Sequence, residues 1–190
     1  MRYPIRVLAT FAAALLTLVQ LSCRESVTGP ILQPVGERIF DSSFERDGQP
    51  TLEGWRITNP SLTSLVPDPA PGGGKWSLQL DADWAPTTGF VTVPIPQIRD
   101  GDVLRLSAFV RAVDAEGGAM IGLRVGPSFG SRARWAYSGG TSWTPLSVQD
   151  TVSLAPGDTV WVVLSSPHTE ITRRQGRFDR VELMRIRTSK

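Results

Sequence analysis

The sequence predicts an antiparallel β-sandwich. Three observations carry that expectation. Apolar and polar residues alternate with period two over several segments. Clusters of Gly, Pro, Asp and Ser separate those segments, and no convincing helical pattern interrupts them. Short strands punctuated by turn signals are the pattern of a sandwich or barrel.

The clearest strand is "DVLRLSAFVRAV", residues 102–113, where Leu104, Leu106, Ala108, Val110 and Ala112 alternate with Arg105, Ser107, Phe109 and Arg111. One apolar face means one side in the core and the other toward solvent. "AMIGLRV" repeats the scheme, with Ala119, Ile121, Leu123 and Val125 inward and Met120, Gly122 and Arg124 outward. Further strands are expected over residues 75–81, 88–95, 144–152, 159–165 and 177–186, and "RWAYS" adds one that carries Trp135 and Tyr137. Pro94 and Pro96 donate no ladder hydrogen bonds, so their strand is expected at an edge or a bend. "PAPGGGK" and "RDGD" read as turns. Residues 37–190 have the size of one domain, with no internal repeat.

The N-terminus reads differently. Arg2 and Arg6 precede a run from Val7 to Leu21 that is apolar except for Thr10, Thr17 and Gln20. That run is short for a bilayer span, which takes about 20 apolar residues. Its length and flanks are those of a secretory signal, so residues 1–22 are expected to be removed and the protein exported. The only cysteine, Cys23, follows directly. The junction resembles a bacterial lipoprotein lipobox, with Gln20 where Leu is usual, and implies a lipid on Cys23 that anchors the protein to a membrane of the cell envelope. Residues 23–36, rich in Pro and Gly, form the tether.

Charge narrows the function. The chain has 20 Lys plus Arg against 18 Asp plus Glu, and loss of Arg2 and Arg6 with the leader leaves 18 against 18. A neutral exported part gives no support for nucleic-acid binding. Six arginines cluster between Arg173 and Arg187, but Glu170, Asp179 and Glu182 interleave them, which reads as a solvated strand face. His168 is the only histidine, and "PGGGK" does not lead into a helix as a phosphate loop would. No pair of carboxylates is singled out for glycoside hydrolysis, so an enzyme is not expected.

In order, "IFDSSFE", "GW", "GGGKWSLQL", "GDVLRLSAFVRA", "TSWTPLSV" and "RFDRVEL" resemble the CenC-like carbohydrate-binding modules of families 4, 9 and 22, across nearly all of residues 37–187. The resemblance implies a galactose-binding-like jelly roll that binds glycan without catalysis. It also implies a structural calcium, which prefers six to eight oxygens. The matching groups are Glu45 of "SSFE", Asp179 of the last strand, Asp41 and the carbonyl of Lys75. Asp41 and Ser42 stand where the family usually has Asn-Gly. The alternative for Asp179 is a pairing with Arg38 or Arg180, or backbone N–H bonds at a bulge.

Sugar-binding faces of this kind stack rings on aromatic side chains. Trp55 and Trp76 match structural positions, and Trp84 falls in a loop. The candidate glycan site is Phe109, Arg124, Trp135, Tyr137 and Trp161, with Trp161 outward if Val160, Val162 and Leu164 face in. The competing class is an assembly lipoprotein whose sandwich packs against another protein. The two differ in whether these aromatics gather on one face or scatter.

Overall fold

The computed structural model describes residues 36–82, 90–127, 132–167 and 174–186. Along them run β1 (Gly36–Ser42), β2 (Glu45–Arg46), β3 (Gln49–Pro50), β4 (Arg56–Ile57), β5 (Thr63–Val66), β6 (Ser77–Ala82) and β7 (Phe90–Ile95). They are followed by β8 (Val103–Ala112), β9 (Ala119–Gly126), β10 (Arg132–Ser138), β11 (Thr144–Thr151), β12 (Thr159–Ser165) and β13 (Arg174–Ile186). Among the described residues the helical content is one 3-10 turn, Pro60–Leu62, capped by the Asn59 side chain.

The strands form two antiparallel sheets. The first has the order β11-β8-β13-β6-β5, with β1 beside the C-terminal half of β13. The second has the order β10-β9-β12-β7-β4. The core lies between them. Leu104, Leu106, Val110, Phe178 and Leu183 of the first sheet belong to one buried cluster with Val91, Ile121, Leu123, Val162 and Leu164 of the second. Each such side chain gains about 1.5–3 kcal/mol on leaving water, and the period-two pattern lets one strand supply several.

Trp55 belongs to this core. It packs edge-on against Phe40 at 5.6 Å and beside Phe44 at 5.7 Å, and its Nε1–H donates to Ser42 Oγ at 3.2 Å. Trp76 is half-buried and lies outside the cluster. β7 pairs with β12 through Ile95, whereas β4 covers its other side only at Val91 and Thr92. Pro94 therefore sits where no N–H is needed on that side, as its chemistry requires. The short strands between Glu45 and Val66 were not expected from the sequence. Two to four residues are too few to display a period.

Two of the four described arginines in the basic run near the C-terminus, Arg177 and Arg185, are ion-paired with acids. Arg185 binds Glu37, Asp102 and the Gln97 carbonyl, and Arg177 and Arg111 both bind Asp68.

Candidate functional site

The outer face of the second sheet gathers four of the five predicted glycan-site residues. Paired residues in an antiparallel ladder share a face. Across β10, β9, β12 and β7 one row reads Ala133, Arg124, Trp161, Pro94. The next, reaching β4, reads Trp135, Gly122, Val163, Thr92, Arg56. Tyr137 stands opposite Met120 in the row beyond.

Glycines clear the space for the rings. A Cβ placed on Gly122 would lie 2.5 Å from Trp135 Cε3, and one on Gly118 would lie 2.6 Å from Tyr137 Cε2. The six-membered ring of Trp135 thus rests on the backbone of β9, a position any larger residue would deny it. Trp135 is 41% exposed and Tyr137 51%, although aromatic rings of this size usually find cover. Arg124 is half-buried, and burial lowers its pKa from a value so high that it stays charged at neutral pH.

Trp161 is outward, as Val160, Val162 and Leu164 enter the core. It is nevertheless only 8% exposed. The guanidinium of Arg56 stands over its ring at 4.9 Å, a cation–π contact, and the buried Trp161 Nε1–H has no hydrogen-bond acceptor among the described residues. Arg56 was missed by sequence reasoning, because a two-residue strand carries no signal of what it pairs with.

Phe109 does not join this face, which corrects the expected grouping. β8 belongs to the first sheet, so the outward side of Phe109 is the opposite surface of the sandwich. There its ring lies 5.0 Å from the Arg180 guanidinium. Cys23, Trp84 and His168 fall outside the described residues.

The predicted calcium ligands meet in part. Arg180 takes a positive φ of 49° and inserts an extra residue into β13, so the register with β8 shifts between Asp179 and Glu182. Phe178 and Val181 thereby both enter the core while Asp179 turns to the outer face, where it is wholly covered. Its Oδ2 accepts the Ala70 N–H at 2.8 Å and its Oδ1 the Arg180 N–H at 2.7 Å. Glu45 Oε2 accepts the Lys75 N–H at 2.6 Å. The glycine turn of "PAPGGGK" therefore wraps carboxylates. A Cβ on Gly73 would collide with Asp179, and one on Gly74 with Glu45.

Burial raises the pKa of Asp179. The bonds from Ala70 and Arg180 and the Arg180 charge oppose that shift, while the Glu45 charge adds to it. A cleft of about 460 Å³ opens beside the turn, lined among others by Asp41, Glu45 and Gly72 to Gly74. Asp41 itself is exposed and ion-paired with Arg38 at 3.5 Å. Among the described residues no three Asp, Glu, His or Cys side chains converge on one point as metal ligands. A cation here would take two carboxylates and draw its remaining oxygens from backbone carbonyls and water.

No protein-family model and no curated protein matches the chain. Solved structures do match its fold. The CBM22-1 xylan-binding domain from Paenibacillus barcinonensis Xyn10C superposes with a TM-score of 0.59 at 15% identity, covering 83% of this chain and 99% of that one. A xylan-binding domain from CBM 22 gives 0.57 at 13% identity, covering 83% and 100%. The C-terminal family 22 carbohydrate-binding module of Clostridium thermocellum Xyn10B gives 0.57 at 12% identity, covering 80% and 96%. Two stacked antiparallel sheets in this arrangement are the jelly-roll sandwich of the family 22 carbohydrate-binding modules, and that is the fold of this chain.

Proposed function

We propose that the chain is a glycan-binding module, exported and held at the cell envelope by a lipid on Cys23. The observation that carries the reading is the exposed pair Trp135 and Tyr137, whose rings occupy the space left by Gly122 and Gly118 on the face that carries Arg124. Rings so placed offer apolar faces to sugar rings, and the guanidinium offers donors to hydroxyls. The fold neighbours, by their names, bind xylan. Among its described residues this face has no Asp or Glu, so it offers no carboxylate pair for glycoside hydrolysis. A structural calcium shared by Glu45 and Asp179 completes the reading.

The test is a glycan array probed with the wild-type domain in calcium. Polysaccharide hits are expected. An array without hits would sink the reading in favour of an assembly role. For the anchor, metabolic labelling with a palmitate analogue is expected in the full chain and lost in Cys23→Ala. Label that persists in the variant excludes lipidation at that residue.

A further inference from the structure

The second sheet's outer face is charged in one sense. Arg56 and Arg124 stand on it, and its described residues include no carboxylate. Both cations are set beside rings. Arg124 is the ladder partner of Trp161, and Arg56 stands over the Trp161 ring. Arg56 is exposed and makes no ion pair among the described residues, in contrast to Arg111, Arg177 and Arg185 of the other sheet, each tied to an acid. The row from Trp135 to Arg56 crosses four strand spacings, about 19 Å, so aromatic platform and cation are placed for different units of one chain-like ligand.

Resting on the glycan-binding reading, we propose that this face prefers polysaccharides that carry carboxylate groups, that is, chains containing uronic acids, over neutral ones. The planar guanidinium matches a carboxylate with two parallel N–H···O bonds, and such charge-assisted bonds exceed those to a hydroxyl. A neutral chain fills the same platform and leaves the Arg56 guanidinium facing hydroxyls and water. An acidic chain gains at Arg56 without first breaking an ion pair there.

The experiment is affinity electrophoresis in gels containing polygalacturonate, alginate or glucuronoxylan, each beside its carboxyl-reduced form. On at least one of the three, retardation is expected to be about tenfold stronger for the acid form, the size of one charge-assisted interaction. High salt is expected to shrink the preference, since the Arg56 end of the face is open to screening. Arg56→Gln should cut the preference, lowering retardation by the acid form far more than retardation by the reduced form. Equal retardation by acid and reduced forms of all three overturns the inference and leaves glycan binding standing. No retardation by any form overturns both. A full preference in Arg56→Gln removes the cation assignment. Retardation by the acid forms that is undiminished in Trp135→Ala shows charge attraction away from this face, and overturns the inference as well.

Discussion

Asp179→Leu is expected to cost about 2–5 kcal/mol of stability in urea or thermal unfolding, because the buried Ala70 donor and the part-buried Arg180 donor lose their acceptor at once. Ala70 is itself 3% exposed, so its N–H has little access to water once the fully covered Asp179 carboxylate is gone. Asp179→Asn keeps the volume but points an NH2 group at one of those donors, so it is expected to cost roughly half as much. The pH dependence follows from the sign of the shift. With chelator present, burial holds the folded pKa of Asp179 above the unfolded one, so the folded state binds the proton more tightly. Stability then falls as pH rises from the ordinary carboxylate range through the raised folded value, and is regained on acidification. The Asn variant should lack that slope. Calcium selects ionised carboxylates, so it is expected to raise the melting temperature near neutral pH and lose that effect as pH falls. Equal melting temperatures with calcium and with excess chelator would take the metal away from Glu45 and Asp179.

Trp135→Ala is expected to weaken polysaccharide retardation about thirtyfold. A ring face of about 100 Å² covered by sugar contributes about 2 kcal/mol at the usual transfer coefficient. The fold should hardly notice, since the ring is 41% exposed and β10 is an edge strand. Gly122→Ala offers a second route to the same result, lifting the ring off β9 while leaving the indole intact. A large drop in melting temperature for Trp135→Ala, with binding preserved, would show the ring to be packing and remove it from the site.

The bulge at Arg180 shows where reading along the chain stops. Phe178, Val181 and Leu183 all enter the core, yet their spacing of three and then two does not fit a regular strand. Only the ladder with β8 shows the extra residue, because a non-glycine at positive φ has no mark in the sequence. The Gly-rich turn was legible as a turn, but the carboxylates it wraps come from residues 45 and 179. Arg56 reaches Trp161 across more than a hundred residues of chain, from a strand too short to show a pattern.

Alternation along the chain marks β8 and β9 as strands and tells which side of each enters the core, because burial energy acts on every second side chain and writes itself as a period of two. In contrast, β12 is apolar on both faces and leaves its inner side open. Period two distinguishes inside from outside, and a sandwich has two outsides. Phe109 and Arg124 carry the same outward mark on successive strands, yet β8 lies in one sheet and β9 in the other. That assignment depends on which strands pair across long stretches of chain, and the pairing is settled by the shared core rather than by any local pattern. Tertiary structure alone therefore placed Arg124, Trp135, Tyr137 and Trp161 on one face, sent Phe109 to the other, and put Arg56 over a ring that its neighbours in sequence never meet.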